Sequence, residues 1–338
     1  MITSKTINLL SLSLLLSFLI SCTSTTENVE IKNTNPLPSW NDVASKDNII
    51  TFVSDVTNSE SENFIPAKDR IATFDNDGTL WAEKPFPFQI SFILDRVKEM
   101  SETDESLKTT EPYKFAVNGD IKSLMKLGMK AVFKLAVKAQ SGITGEEFDA
   151  IVTDWINTAK HPETGRLYKE MKYQPMMELM KYLEDNGFKI FIVSGGTRDF
   201  MRPFVPEIYG IPEYRVIGTR LKVTYNEETR KIERLPELEF NNDKETKPIS
   251  IYSMIGKKPV IVAGNSDGDF QMMQYAEASG KPFLNILINH NDAEREYDYN
   301  SNPEQEKHVE CLKTALKNNW TVVDMKNDWK VVYPFELK

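Results

Sequence analysis

The sequence predicts an α/β fold in which a parallel sheet carries helices on both faces. Two observations point there. Short apolar runs at residues 70–74, 189–193 and 259–263 alternate with amphipathic helical stretches, the pattern of strands buried on both sides. Each run also ends in a cluster of Gly and polar residues: Asp75-Asn76-Asp77-Gly78, Ser194-Gly195-Gly196, and Gly264-Asn265-Ser266-Asp267-Gly268-Asp269. Ligands of such sheets bind beyond the carboxyl ends of the strands, so the three clusters are expected to converge on one site.

The chain of 338 residues is long enough for one large domain or two modest ones, and its 40% apolar and 27% charged residues are ordinary for a globular protein. A net charge of -9 with no compact basic run speaks against a nucleic-acid partner. At the N-terminus Lys5 precedes an apolar stretch at residues 9–20, which reads as an export signal too short to span a membrane comfortably. It ends in Leu19-Ile20-Ser21-Cys22, which resembles the lipobox of bacterial lipoproteins. That resemblance implies removal of residues 1–21 and lipidation of Cys22. The expected location is the cell envelope, and Thr23 after the Cys suggests the outer membrane, facing the periplasm. With Cys22 lipidated, Cys311 has no intramolecular partner and reads as a small buried apolar residue.

Residues 22–38, rich in Ser, Thr, Asn and Pro, read as a flexible tether, with order beginning near Trp40 in a helix through Ile49, Ile50 and Val53. The strand at 70–74 runs into a tight turn. Residues 88–155 are helical in pattern, with Ile90, Ile93, Leu94 and Val97 on one face and Leu124, Leu127, Val132, Leu135 and Ala136 on another. Thr144 and Glu147 have the spacing of a capping box. A helix at 176–183 stops at Asn186-Gly187 before the second strand, and residues 214–235 read as a β-ribbon turning near Asn226. A helix from Pro248 to Ile255 leads into the third strand. His161 and His308 are expected at the surface or on the helical region, whereas His290 follows a strand and is a candidate for lining the site.

The chemistry rests on four pieces. Asp75 and Asp77, two residues apart after a strand, can supply a nucleophile and a proton donor for phosphoryl transfer, although Asp-Asn-Asp-Gly is equally good turn sequence. Ser194 and the Gly195 amide can hydrogen-bond phosphate oxygens, or form an ordinary strand-to-helix turn. Lys247, at a helix start, can neutralise nucleophile and phosphate. The loop from Gly264 to Asp269 offers oxygen ligands to Mg2+, which needs few from a protein.

In this order the four pieces resemble the haloacid dehalogenase superfamily, particularly its phosphoserine-phosphatase-like branch. The resemblance covers the chain from about Arg70 onward. It implies a Rossmann-like core at residues 39–84 and 174–338, with an inserted α-helical cap at 85–173. It further implies a phosphohydrolase acting on a small phosphorylated metabolite through an aspartyl phosphate. Asp75 is then the nucleophile, Asp77 the general acid and base, Ser194 a phosphate ligand and Lys247 the stabilising cation. Mg2+ would be held by Asp75, Asp77, Asn265 and Asp269, and substrate by Gly78, Thr79, Ser194, Gly195 and Glu83. Where most relatives carry the first Asp of the metal loop, this chain has Asn265, with Asp267 a candidate to compensate. That departure admits a second reading, a catalytically weakened surface lipoprotein that binds a phosphate ligand.

Overall fold

The computed structural model describes residues 35–299 and 308–337. The export signal, Cys22 and most of the tether lie outside the described residues. The folded region begins slightly earlier than Trp40, because Leu37 is fully buried and its carbonyl accepts the Trp40 amide. Helix α1 (Ala44–Thr57) follows, burying Ile49, Val53 and Val56 at helical spacing.

The sheet has seven strands: β1 (Ile71–Phe74), β2 (Lys189–Thr197), β3 (Val216–Asn226), β4 (Lys231–Phe240), β5 (Ile261–Gly264), β6 (Leu284–Asn289) and β7 (Thr321–Asp324). Their order is β4-β3-β2-β1-β5-β6-β7, with every neighbouring pair parallel except the β3–β4 ribbon. Successive residues face opposite apolar layers: Phe74, Ile192 and Ala263 pack into one, Val193, Val262 and Leu287 into the other. Burial on both faces is the reason these strands read as continuous apolar runs. From β1 the chain winds outward through β2 and β3, then returns to place β5 on the other side of β1. This reversal opens a crevice at the carboxyl ends of β1 and β5.

Six α-helices separate β1 from β2, of which the first five form the insert: α2 (Phe88–Met100), α3 (Tyr113–Val117), α4 (Ile121–Lys126), α5 (Met129–Gln140), α6 (Gly145–Thr158) and α7 (Gln174–Asp185). The helical pattern is broken between α4 and α5 by Gly128 at φ 76°, and Leu127, expected on a buried face, is exposed at this corner. The capping box forms at α6, with Thr144 accepting the Glu147 amide and Glu147 accepting the Thr144 amide. The insert and the sheet belong to one compact unit.

Arg234 on the ribbon joins them. Its Nε donates to the Gln140 carbonyl and its Nη1 to Asp199, both at 2.6 Å, and its guanidinium lies over the Phe148 ring. Asp199 belongs to α8 (Arg198–Met201), which with α9 (Val205–Tyr209) leads from β2 to β3. The remaining α-helices among the described residues are α10 (Thr246–Ile255) before β5, α11 (Phe270–Glu277) after it, α12 (Val309–Lys317) before β7 and α13 (Met325–Asp328) after it.

Neither His161 nor His308 is at the surface, and of the two only His161 belongs to the helical insert. His161 is buried, its Nε2 donating to the Lys84 carbonyl among the rings of Phe88 and Tyr168. His308 is fully buried beside Tyr299. An imidazole has enough apolar area to pack against aromatic rings inside a protein, which a reading by polarity overlooks. Cys311 is buried and free on α12, as expected of a small apolar residue, and burial pushes its thiol well above the usual range.

Candidate active site

β1 delivers Asp75 directly into the crevice, and the Asp75 amide still pairs with the Ala263 carbonyl of β5. The chain then turns sharply: the Asn76 carbonyl accepts the amides of Thr79 and Leu80, and the Gly78 amide donates to the Trp81 carbonyl. Gly78 sits at φ 75°, and an added Cβ would lie 2.1 Å from Asn265 Nδ2. Glycine is required there by both conformation and space. The turn reading of this motif therefore holds, and the turn also gives the two carboxylates the placement that the chemical reading requires. The turn holds the backbone, while Asp75 and Asp77 face one cavity. Asp77 Oδ1 accepts the Trp81 indole at 2.7 Å, which fixes its carboxylate.

Lys247, on the first turn of α10, is almost completely buried, and its ammonium donates to Asp75 Oδ1 at 2.9 Å and Asp269 Oδ1 at 2.6 Å. Burial alone would lower its pKa, but the two carboxylates outweigh burial and raise it, so the lysine stays charged. Burial, reinforced by the charge of Asp269, pushes the Asp75 carboxyl up to about 8 against the pull of Lys247. The other Asp269 oxygen accepts the amides of Asn265 and Ser266 at 3.0 and 3.1 Å, closing the loop after β5. Gly264 allows that loop to close, since a Cβ there would meet Asp269 Cγ at 2.5 Å. Ser194 at the end of β2 is buried, its hydroxyl accepting the Gly196 amide and its carbonyl accepting the Asn242 side chain.

The loop after β5 differs from expectation at one residue. Asp267 turns away from the crevice, and its carboxylate accepts the Cys311 amide at 2.8 Å and the Glu310 amide at 3.4 Å. It caps the start of α12, where unpaired amides and the helix dipole favour an anion. Asn265 instead meets a different acid. Its Nδ2 donates to Glu83 Oε1 at 3.2 Å and its Oδ1 accepts the Thr79 hydroxyl at 3.1 Å. Glu83 also accepts the Tyr299 hydroxyl, whose burial keeps it protonated.

Asp75, Asp77, Glu83, Ser194, Gly195, Lys247 and Asn265 all line one cavity of about 470 Å³. Asp269 stands behind Lys247. Gly78 and Thr79, expected to touch substrate, lie instead behind the carboxylates: Thr79 is fully buried with its hydroxyl on Asn265. His290 does not reach the cavity either. Its Nε2 donates to the Gly78 carbonyl at 2.7 Å, its Nδ1 lies 2.7 Å from Glu296, and its ring stacks on Tyr299. It braces the turn after β1 from behind.

Sequence reasoning missed the polar residues that join the insert to this site. The Gln89 side chain accepts the Thr197 amide and donates to its hydroxyl, and that hydroxyl donates to Gln140. Asn241-Asn242-Asp243, a polar triplet before α10, closes the floor. The triplet is visible in the sequence, but nothing local distinguishes it from an ordinary loop.

Among the described residues no three His, Cys, Asp or Glu side chains form a metal cluster of their own. The donors facing the cavity are nevertheless oxygens, from Asp75, Asp77, Glu83 and Asn265, with Lys247 the single ammonium on its wall. Such a set suits a hard cation that keeps waters in its shell.

A parallel α/β sheet with paired carboxylates, a buried lysine and a hydroxyl at its switch point defines the class. Within it, residues 72–274 match the haloacid dehalogenase-like hydrolase family, and the chain belongs to that family. No curated protein sequence matches it. Among solved structures it is similar to a conserved protein of unknown function from Anaerococcus prevotii. The TM-score is 0.55 at 16% identity, over 85% of this chain and 93% of that one. A protein of unknown function from Bordetella pertussis aligns at TM-score 0.48 and 13% identity, over 76% and 99% of the two chains. A phosphoserine phosphohydrolase-like protein from Francisella tularensis aligns at 0.36 and 17%, over 65% and 87%.

Proposed function

We propose that this hydrolase cleaves small phosphate monoesters through an aspartyl phosphate on Asp75. The observation that carries the reading is the meeting of Asp75, Asp77, Ser194 and Lys247 on one cavity at the switch point. Asp75 attacks phosphorus while Asp77 gives its proton to the leaving alkoxide oxygen, so the P–O ester bond breaks as the acyl phosphate bond forms. Asp77 then takes a proton from water, which attacks the phosphorus and restores Asp75 with release of phosphate. Lys247 restrains the Asp75 carboxylate and, with the Ser194 hydroxyl and nearby amides, offsets charge on the transferring group. Asp75, Asp77 and Asn265 are the residues that would hold Mg2+, with Asp269 fixing the loop from behind. When bound, the ion supplies positive charge to phosphoryl oxygens. The helical insert acts as a cap that excludes bulk water.

The soluble domain should release phosphate from p-nitrophenyl phosphate with Mg2+, lose that activity with chelator, and lose it in Asp75→Asn. Undiminished turnover in Asp75→Asn would overturn the mechanism. The amide at Asn265 favours one competing reading, a protein that binds phosphate ligands with weakened turnover. Tight phosphate-analogue binding without hydrolysis would select it. We further propose export and anchoring through Cys22, which membrane association persisting in Cys22→Ser would refute.

A further inference from the structure

The cavity has two chemically distinct ends. One holds the carboxylates and Lys247. The other runs between the helical insert and the β3–β4 ribbon and is walled by Ile90 and Ile93 of α2, Val132, Phe133 and Ala136 of α5, and Leu221 of β3. Of the charged residues on its wall, Asp75, Asp77, Glu83 and Asp243 are acids and Lys247 is the one cation. Lys247 is already committed to Asp75 and Asp269. Among the described residues no guanidinium or second ammonium lines the cavity to receive a carboxylate or another phosphate, and the fourth acid, Asp243, sits against Gly195 and Gly268 at the catalytic end.

A substrate whose alcohol bears a carboxylate, such as phosphoserine, would leave that charge buried and unpaired here, a large penalty. A sugar would lose hydroxyl hydration against the aliphatic side chains, because the polar side chains on the same wall, Gln89, Gln140, Thr197 and Thr219, are already hydrogen-bonded within the protein. An alkyl chain meets neither cost and gains from every methylene it removes from water. The apolar wall does not end inside the protein. It continues to the surface at Met129 and Leu238, which are 57% and 39% exposed, so a chain longer than the cavity can leave between them.

We propose that the preferred substrate is the phosphate monoester of an uncharged, aliphatic alcohol, with the phosphate against Asp75 and the alkyl chain along α2, α5 and the ribbon. This rests on the phosphohydrolase reading for turnover but makes a separate claim about binding. The test therefore measures both. In Asp75→Asn, calorimetry with methyl-, butyl-, hexyl- and octylphosphonate should show affinity rising roughly three- to fourfold per methylene until the chain reaches solvent. O-Phosphoserine should bind far more weakly than hexylphosphonate. In the parent protein, kcat/KM for the matching alkyl phosphates should rise in parallel. Phe133→Asp, at a partly exposed position that tolerates a charge, should flatten the chain-length dependence in both measurements.

Affinity independent of chain length, or phosphoserine binding as tightly as hexylphosphonate, would overturn the proposal whatever the turnover. Chain-length-dependent affinity without hydrolysis of any ester, p-nitrophenyl phosphate included, would uphold it and remove the phosphohydrolase reading instead.

Discussion

Replacing Asn265 by Asp supplies the acid that the family resemblance leads one to expect at this position, and the structure dictates a cost. The Asn265 amide donates to Glu83 Oε1 at 3.2 Å. In Asn265→Asp two carboxylates would stand at that separation, a repulsion of about 5 kcal/mol at an effective dielectric near 20. Rotation of either side chain to roughly 6 Å halves this, so we expect a net loss of about 2–4 kcal/mol in the metal-free protein. At about 2–4 °C per kcal/mol for a domain of this size, the melting temperature should fall by roughly 5–10 °C. Saturating Mg2+ should reverse most of the loss, because a ligand that binds only the folded state at a hundredfold excess over Kd stabilises it by about 2.7 kcal/mol. The assay is thermal unfolding with chelator and across a Mg2+ series, for the parent, Asn265→Asp, Glu83→Gln and the double variant. Glu83→Gln should rescue the metal-free melting temperature of Asn265→Asp. A metal-free Asn265→Asp that melts with the parent, or a double variant no better than the single, would refute the coupling of these two side chains.

Other expectations follow from single contacts. Arg234→Met takes from Asp199 its shortest ion pair, leaving Arg198 at 3.2 Å and Arg202 at 3.6 Å, and unties the insert from the ribbon, so it should cost about 1.5–3 kcal/mol in urea unfolding. Burial raises the Asp199 pKa but Arg234 outweighs it, and the net value is lowered. Its contribution is then present above the unfolded value of about 3.9 and is lost as pH falls through the folded value. Asp199→Asn should accordingly weaken the pH dependence of stability below about pH 4. Asp267→Ala removes the α12 cap at a cost of about 0.5–2 kcal/mol, yet should leave the Mg2+ concentration for half-maximal activity unchanged. A rise in that concentration would return Asp267 to the metal site. Gly78→Ala combines a strain of about 1–2 kcal/mol with a collision against Asn265, so it should lower both stability and phosphate release.

The sheet was legible because its strands are buried on both faces, which leaves continuous apolar runs at 70–74, 189–193 and 259–263. The convergence of Asp75, Ser194 and Lys247 was legible for a related reason, since strand polarity in a parallel sheet sends every carboxyl end to one edge. What escaped is what depends on distant partners. Asp267 looks like a loop ligand until α12, 44 residues later, arrives to take it as a cap. Glu83 gains its meaning only from Asn265 and Tyr299, 182 and 216 residues away. The burial of His161 and His308 likewise follows from neighbours no local pattern encodes.

Glu83 and Asn265 bear on the question the sequence raised most sharply, an amide at position 265 where an acid was expected. The cavity wall already carries four carboxylates against Lys247 alone, and burial together with Asp269 holds the Asp75 carboxyl up near 8. A fifth carboxylate at position 265 would add to that repulsion, whereas an amide relieves it and donates to Glu83. We therefore read the pair as one unit in which the charge has moved from the loop to the segment after the first turn. On that reading the loop is not simply depleted. Removing Glu83 should therefore lower Mg2+ affinity, although Glu83 lies on the segment after the first turn and not on the loop after β5. A Glu83→Gln domain with unaltered Mg2+ affinity by calorimetry would separate the two side chains again.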